Sequence, residues 1–420
     1  MLYEHWRQVA SERRDRLALR DIASGRRWTF GELSAAAETI SVGGSDFVFP
    51  QGHSPEFILN LLAAWRTGKV VCPLEPGELP PQIPKPPPFC VHLKSTSATT
   101  GAPRLVGFTA DQLAADAENI VATMGLRPEC PNLGVISMAH SYGFSSLVTP
   151  LLLQGIPLIL APSPLPEAVR LAAENETTLT LAAVPALWRA WHDAKTIPPN
   201  VRLAISAGAP LPESLERAVF EATGIKLHNF YGSTECGGIT YDAGDTPRTD
   251  ATCVGSPMKN VALSVAEDGC LEVRGRAVAE THWPAPDANL SSGCFHTSDL
   301  AEISDGLVYL HGRAGDQINV AGRKVSPETI ERELLKHPQV LKCLVFGVPS
   351  RDAERTEEIV AVVVSREREG DLRRFVLDAL PAWQAPRHWW FVEAVQTNPR
   401  GKVSRTEWRA KFLRKRNRSV

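Results

Sequence analysis

Several features that would fix the class of a protein are missing from this sequence. The formal net charge of its 420 residues is -2, so no charge excess favours nucleic acid or an anionic membrane as a partner. Its eight cysteines include no C-x-x-C pair, which argues against a zinc site and against a disulfide framework. The longest apolar run, residues 151–161, is too short to span a bilayer, and residues 1–20 hold no apolar core for a signal peptide. These absences indicate a globular protein of the reducing cytoplasm.

The length and the hydrophobic pattern predict two domains. A chain of 420 residues exceeds one ordinary hydrophobic core. Between residues 133 and 210, apolar β-rich runs alternate with helical patterns, which predicts a mainly parallel sheet covered by helices. A hairpin at 261–273 indicates a small β subdomain, and a capped helix start at 326–328 opens a compact α+β unit. We therefore expect a large α/β N-terminal domain, residues 1–314, and a small α+β C-terminal domain, residues 315–420.

A hydroxyl-rich loop lies between two short predicted strands, residues 89–93 and 105–108. The loop runs Thr96-Ser97-Ala98-Thr99-Thr100-Gly101 and is followed by Ala102-Pro103-Arg104. Backbone N–H groups and several hydroxyls in one loop suit the oxygens of a polyphosphate. A polar hairpin turn would have the same composition, so the loop alone does not decide between the two. The strand–GxxxxGK[ST]–helix pattern of a P-loop occurs nowhere in the sequence.

Four further segments follow the hydroxyl-rich loop in a fixed order. They are residues 229–235 (Asn-Phe-Tyr-Gly-Ser-Thr-Glu), 296–300 (His-Thr-Ser-Asp-Leu), 312–313 with 322–324, and 398–403. With the loop they resemble the adenylate-forming superfamily of acyl-CoA synthetases, nonribosomal adenylation domains and firefly luciferase. The resemblance runs from about Trp28 to Arg405. It implies ATP-dependent activation of a carboxylic acid to an acyl-adenylate, followed by transfer to coenzyme A or to the phosphopantetheine of a carrier protein.

The resemblance implies a set of nucleotide-binding residues. The hydroxyl-rich loop would cradle the β- and γ-phosphates, Tyr231 would lie against the adenine, and Thr234 would contact the α-phosphate. Glu235 would coordinate Mg²⁺, a hard cation that prefers carboxylate oxygen. Asp299 would accept the ribose hydroxyls, and Arg313 would reach the ribose from the domain junction. The predicted set is Thr96, Ser97, Thr99, Thr100, Gly101, Gly208, Ala209, Pro210, Asn229, Phe230, Tyr231, Gly232, Thr234, Asp299, Arg313 and Lys402.

The resemblance also implies catalytic residues and an acid pocket. Lys402 would bridge the attacking carboxylate and the phosphate, where a cation offsets charge that grows in the transition state. Thr234 and His140 complete the predicted catalytic set, and His140 matches a gate position near the carboxylate, although a lone histidine is often structural. The predicted pocket residues are His140, Tyr142, Phe144, Ser206, Ala207, Gly208, Phe230, Gly232 and Ile239.

The expected acid is aryl or aliphatic. No acidic residue occurs between residues 130 and 166, where amino-acid-activating relatives carry an aspartate for the α-ammonium group. The apolar and aromatic pocket candidates agree with this expectation. No carrier domain follows Lys402, so a carrier protein would be a separate chain. A nucleotide-binding pseudoenzyme is the alternative, and the presence of Lys402 and Glu235 argues against it because a protein that only binds needs neither.

The sequence departs from the superfamily pattern at several positions. Ala98 and Arg104 stand where glycine and lysine are common, and Ser298 replaces a glycine. Gly315 occupies the hinge position, two residues after Arg313, where the superfamily normally has Asp or Lys. Because glycine has wide access to φ/ψ space, we expect Gly315 to be a pivot for rotation of the small domain. The region before the hydroxyl-rich loop is also shorter than in common members.

Overall fold

The helices form where apolar spacing and capping residues predict them. The computed structural model describes residues 1–81, 85–87, 89–96, 104–291, 293–350, 356–396 and 403–418. A π-helical segment, Phe144–Val148, and two 3-10 segments, Ala314–Asp316 and Ala382–Gln384, add to the α-helices. The α-helices are α1 (Leu2–Glu12), α2 (Phe30–Thr39), α3 (Pro55–Arg66), α4 (Ala110–Met124), α5 (Ser141–Gly143), α6 (Thr149–Gln154), α7 (Pro166–Ala173), α8 (Pro185–Asp193), α9 (Glu213–Thr223), α10 (Pro327–Leu334), α11 (Glu369–Ala379) and α12 (Arg405–Arg418).

The strands before the small domain belong to an α/β core and a β-rich extension. In the α/β core they are β1 (Leu17–Asp21), β2 (Arg27–Thr29), β3 (Phe47–Val48), β4 (Val70–Val71), β5 (His92–Ser95), β6 (Leu105–Phe108), β7 (Asn132–Gly134), β8 (Leu158–Leu160), β9 (Leu179–Ala183), β10 (Val201–Ser206), β11 (Leu227–Ser233) and β12 (Gly237–Tyr241). The extension contains β13 (Cys253–Pro257), β14 (Ala262–Val265), β15 (Cys270–Arg274), β16 (Thr281–Trp283), β17 (Leu290–Ser291), β18 (Cys294–Ser304) and β19 (Leu307–Arg313).

Strand pairing connects the core to the extension. Within the described residues, fourteen strands form one sheet in the order β14-β15-β18-β19-β13-β12-β11-β10-β9-β7-β8-β1-β2, with β17 beside β18. A second sheet has the order β16-β6-β5-β4-β3. The pairs β1–β8, β8–β7, β7–β9, β9–β10 and β10–β11 are parallel. A parallel sheet covered on both faces needs apolar strands, and every residue of β9 is buried accordingly.

Capping boxes fix the start of two core helices. The side chain of Thr29 accepts the Glu32 N–H (3.1 Å) while Glu32 accepts the Thr29 N–H (2.8 Å), which begins α2. Thr109 and Gln112 make the same reciprocal pair at the start of α4. The long helix α4 ends at Gly125, whose φ of +64° is the left-handed conformation that glycine adopts without penalty.

The small domain is built on β22 (Val340–Pro349), β23 (Glu357–Ser365) and β24 (His388–Phe391), preceded by the hairpin of β20 (Ile318–Val320) and β21 (Arg323–Val325). Alternate residues of β22 enter different hydrophobic clusters. Val345 joins residues of α10 and α11, whereas Leu344 and Phe346 join Trp408 of α12. Both faces of the strand are covered there, and residues 344–348 are accordingly all buried.

The predicted fold class is confirmed, with local corrections. The predicted hairpin at 261–273 is the pair β14–β15, and the strand predicted at 201–206 is β10. The strand predicted at 89–93 is His92–Ser95, which begins three residues later in the chain, and the apolar run that begins at residue 133 is a strand only over Asn132–Gly134. Val135, Ile136 and Met138 stay buried although they lie beyond the end of β7. None of the helices in the described ranges has the length and apolar character of a transmembrane segment.

The domain boundary predicted between residues 314 and 315 stays a prediction. It falls within the 3-10 segment Ala314–Asp316. The hydrophobic core of the N-terminal part extends from Leu2 to Val308, and the small-domain clusters begin at Ile318. The division of the core agrees with a boundary in this segment.

Candidate active site

Three residues predicted to bind nucleotide meet although they come from separate motifs. Asp299 and Arg313 are paired neighbours on β18 and β19, and Tyr231 approaches from β11. The Tyr231 hydroxyl donates to Asp299 Oδ2 at 2.6 Å, and Arg313 Nε donates to Asp299 Oδ1 at 3.1 Å. Both carboxylate oxygens are therefore oriented by protein donors. A carboxylate has more acceptor positions than these two donors use, so Asp299 can also accept hydroxyl groups of a ligand.

The electrostatics of this cluster keep Tyr231 a hydrogen-bond donor. Burial, followed by the neighbouring Asp299 carboxylate, raises the pKa of the Tyr231 phenol well above its ordinary value. The phenol therefore remains protonated at neutral pH and donates its hydrogen bond to the Asp299 carboxylate. Arg313 is half-exposed and supplies the positive charge that balances Asp299.

The segment after Tyr231 is a tight turn between β11 and β12. A Cβ added at Gly232 would lie 2.4 Å from the carbonyl oxygen of Gly237, so the two strands approach closely only because residue 232 is glycine. The Cys236 N–H donates to Ser233 Oγ at 3.2 Å, which closes the turn that contains Thr234 and Glu235. The turn places the predicted phosphate and metal residues beside the Tyr231–Asp299–Arg313 cluster.

Glu235 is supported by a histidine that the sequence analysis did not single out. Glu235 Oε1 lies 3.3 Å from His282 Nε2, and the Glu235 side chain is 15% exposed. His282 comes from β16, which pairs with β6, the strand after the hydroxyl-rich loop. A partly exposed carboxylate fits Mg²⁺, which binds proteins through one or two carboxylates together with substrate phosphates. The position of Glu235 therefore fits the predicted metal role.

A buried polar network lies beneath the turn and was also missed by the sequence analysis. Asp116 of α4 accepts the Gly238 N–H at 3.1 Å and the Ser145 hydroxyl at 2.5 Å. Lys94 of β5 lies 3.3 Å from the same hydroxyl, and burial lowers the pKa of its ammonium group. The network joins the strand before the hydroxyl-rich loop to the strand after Glu235. Its members are distant in sequence, so no local pattern signals it.

Three predicted acid-pocket residues, Tyr142, Gly208 and Phe230, lie together near the carboxyl ends of parallel strands, where ligands of α/β sheets bind. The rings of Tyr142 and Phe230 are 5.9 Å apart, and Tyr142 also lies against Gly208, whose φ is +82°. The Tyr142 hydroxyl is 3.4 Å from the carbonyl oxygens of Ala183 and Ile205, at the ends of β9 and β10. These contacts bring residues of three predicted pocket segments together.

The remaining pocket and nucleotide residues differ in their exposure. Ser206 ends β10 and is buried with Ala207, whereas Gly208, Ala209 and Pro210 are exposed in the loop that follows. Phe144 and Ile239 are fully buried, and Asn229 is buried on β11. Their predicted contacts with substrate stay predictions.

His140 is paired with a carboxylate from a remote segment. Its Nε2 lies 3.0 Å from Glu75 Oε1, which also accepts the Ser137 hydroxyl at 2.5 Å. Sequence analysis missed Glu75 because it precedes the gate motif by more than sixty residues and follows an unrelated strand, β4. The pair orients the imidazole of His140.

Several predicted site residues lie outside the described residues. They are Ser97, Thr99, Thr100, Gly101 and Lys402. Thr96, at the edge of the hydroxyl-rich loop, is described: its N–H donates to the carbonyl oxygen of Arg104 at 2.8 Å. Arg104 itself forms an ion pair with Asp287 at 2.9 Å.

Comparison with known proteins identifies the family. A model of the AMP-binding enzyme matches residues 90–280, and a model of the AMP-binding enzyme C-terminal domain matches residues 329–402, together more than half of the chain. Triostin synthetase I of Streptomyces triostinicus is 28% identical over 75% of this chain and 64% of its own length. A long-chain-fatty-acid–CoA ligase of Mycobacterium tuberculosis is 27% identical over 76% and 66%. The corresponding values for 2,3-dihydroxybenzoate-AMP ligase of Bacillus subtilis are 27%, 74% and 62%. The chain thus spans slightly less than two thirds of these relatives.

Solved structures show the same fold. ATP-bound MatB from Rhodopseudomonas palustris superposes with a TM-score of 0.86 at 21% identity, covering 98% of this chain and 99% of that one. The o-succinylbenzoate CoA synthetase of Bacillus subtilis, in complex with an acyl-adenylate, gives a TM-score of 0.81 at 19% identity, with coverages of 96% and 97%. The fold and the converging motifs define an adenylate-forming enzyme architecture. The chain belongs to the adenylate-forming, AMP-binding superfamily.

Proposed function

We propose that this protein activates an aryl or aliphatic carboxylic acid with ATP and transfers the acyl group to a thiol. The first step forms acyl-adenylate and pyrophosphate, and the second forms a thioester and releases AMP. Coenzyme A is the proposed thiol, with the phosphopantetheine of a separate carrier protein as the other candidate. A cytoplasmic location is part of the same proposal.

The observation that carries this proposal is the Tyr231–Asp299–Arg313 cluster beside the turn that contains Thr234 and Glu235. One carboxylate is oriented by two donors, while a second carboxylate lies on the adjoining turn. This arrangement suits a ligand with vicinal hydroxyls at one end and a polyphosphate at the other. A nucleoside triphosphate has both features.

The proposed roles follow the superfamily motifs. Thr234 donates to the α-phosphate, and Lys402 bridges the attacking carboxylate and that phosphate. Glu235 would hold Mg²⁺, which neutralises the charge of the pyrophosphate leaving group. The hydroxyl-rich loop binds the outer phosphates. His140, oriented by Glu75, stands at the entrance of the acid pocket as its gate.

The aromatic residues of the pocket support an acid with an apolar body. Glu75 is the carboxylate that the fold brings to the gate, and it is already engaged by His140 and Ser137. Both contacts fall on Oε1, so they fix the orientation of this carboxylate beside His140. The apolar rings of Tyr142 and Phe230 favour an apolar body for the acid. Relatives named for fatty acids, dihydroxybenzoate and 2-succinylbenzoate agree with this class.

ATP–pyrophosphate exchange with a panel of acids tests the proposal. The panel contains benzoates, fatty acids of several lengths and free α-amino acids. We expect exchange with one or more benzoates or fatty acids and none with amino acids. A preference for an amino acid would refute the substrate class. Nucleotide binding without exchange for any acid would instead support a pseudoenzyme.

The hinge prediction is tested by Gly315→Pro. A Cβ at residue 315 would meet no heavy atom within 4 Å, and the residue lies in a 3-10 segment, whose φ is close to that of proline. Proline should therefore fit the observed geometry and restrict rotation away from it. We expect thioester formation to fall more than adenylation, measured as separate half-reactions, with Gly315→Ala as the control. Equal losses in both half-reactions, or no loss, would count against a hinge at Gly315.

A further inference from the structure

Arg405, the first residue of α12, is surrounded by three carboxylates in the small domain. Its guanidinium donates from Nη1 to Asp316 Oδ2 at 3.0 Å and from Nη2 to both oxygens of Glu331 at 2.9 and 3.0 Å. Nη2 also lies 2.8 Å from Glu328 Oε1. The Nε group donates to the carbonyl oxygen of Val345 at 3.1 Å. One side chain thus joins four separate backbone segments.

These contacts are mostly removed from solvent. The side-chain exposures are 22% for Arg405, 16% for Glu331, 24% for Glu328 and 33% for Asp316. Glu331 is fixed further because its Oε1 accepts the Val345 N–H at 2.7 Å. A planar guanidinium with several donors matches this set of acceptors in a way that an ammonium group cannot. Replacing Arg405 with lysine is therefore not conservative.

Two of the joined segments are next to residues with a proposed role in the reaction. Asp316 is the residue immediately after the proposed pivot Gly315, and Arg405 follows Lys402 by three residues. Glu328 also contacts Ser326, and both lie against Gly312: a Cβ there would be 2.0 Å from Ser326 Oγ and 2.6 Å from Glu328 Oε2. The carboxylate cluster therefore links Asp316, which follows the pivot, to Arg405 at the start of α12. It also lies against Gly312, the residue before Arg313.

We propose that Arg405 is a positioning residue that ties Asp316 to the start of α12, so that the residue after the pivot moves with the small domain as one rigid body. This inference rests on the proposed function. Without the tie, the first residues after Gly315 could turn independently of the small domain. Rotation would then be spread over several residues, and the small domain would reach its catalytic position with a larger error. Rate rather than ATP affinity should suffer.

The test compares Asp316→Ala and Arg405→Lys with Arg409→Ala. Arg409 is one turn further along α12 and contacts Glu357 at 3.4 Å instead of Asp316, so Arg409→Ala controls for the loss of an ion pair on the same helix. We expect Asp316→Ala and Arg405→Lys to lower kcat for pyrophosphate exchange by roughly ten- to a hundredfold, the loss that about 1 Å of misplacement can produce. The KM for ATP should change little. Arg409→Ala should exchange at nearly the wild-type rate.

Two further measurements separate positioning from simple stability. Assays are run well below the unfolding midpoint of each variant, determined by thermal denaturation. The double variant Arg405→Lys/Asp316→Ala should be no slower than Arg405→Lys alone, because both changes break one contact. Asp316→Ala with wild-type kcat, or losses that simply add in the double variant, would overturn the proposal. Absence of exchange in the wild-type protein would instead refute the proposed function.

Discussion

Replacing Lys402 with alanine is expected to abolish acyl-adenylate formation while leaving ATP binding largely intact. The reason is that a positive charge at the reacting phosphate acts on the transition state, whereas the proposed nucleotide contacts come from the Tyr231–Asp299–Arg313 cluster. Loss of one preorganised electrostatic group costs roughly a hundredfold or more in kcat. Pyrophosphate exchange measures the loss, and equilibrium binding of ATP measures what remains.

A second lysine of the same domain provides the control. Lys411 donates to Gln396 Oε1 at 2.9 Å on α12, and Lys411→Ala removes the same type of charge without touching the proposed chemistry. We expect Lys411→Ala to exchange pyrophosphate at the wild-type rate. Thioester formation from supplied acyl-adenylate should survive in Lys402→Ala, because Lys402 acts in the first half-reaction. Exchange by Lys402→Ala at a near wild-type rate would remove Lys402 from the mechanism.

Local sequence signals predicted the elements that carry the motifs. The apolar run at 201–206 is β10, and the Ser-Pro-Glu start after residue 325 is the beginning of α10. Both patterns depend on residues that are close in sequence. An apolar run indicates a buried strand, and residues suited to the first turn indicate the start of a helix. The motif order predicts that Tyr231, Asp299 and Arg313 share a ligand, and the structure brings the three side chains together. The motif order contained no sign that they hydrogen-bond to one another.

The sequence could not show which remote residues contact the motif residues. His282 reaches Glu235 because β16 pairs with β6, two strands more than 170 residues apart in sequence. Glu75 reaches His140 from the loop after β4, and Asp116 reaches Gly238 from α4. Pairing between remote segments is decided by the packing of the whole domain, so the periodicity of any single segment does not encode it. The acidic-residue scan of residues 130–166 missed Glu75 for this reason.

The position of Glu235 leads to the second large expected effect. Glu235→Gln should slow adenylation by roughly a hundredfold or more, the scale on which a preorganised electrostatic group acts. It should also raise the Mg²⁺ concentration required for half-maximal exchange. Glutamine keeps the shape of the side chain and can still hydrogen-bond to His282, so the turn between β11 and β12 should remain folded. The charge, which a hard divalent cation requires of its ligand, is what the substitution removes.

The matched control is Glu280→Gln, which changes a nearby carboxylate that accepts a hydrogen bond from Gln112 at 2.9 Å and belongs to no motif. Its Mg²⁺ titration and exchange rate should match those of the wild-type protein. If Glu235→Gln also titrates like the wild type, Glu235 is not the metal ligand. A lower rate with an unchanged Mg²⁺ requirement would mean that Glu235 acts by orienting His282 and the turn. If the Mg²⁺ requirement shifts in Glu235→Gln but not in Glu280→Gln, Glu235 is a metal ligand. A residue that only shapes the site would leave the affinity for Mg²⁺ unchanged.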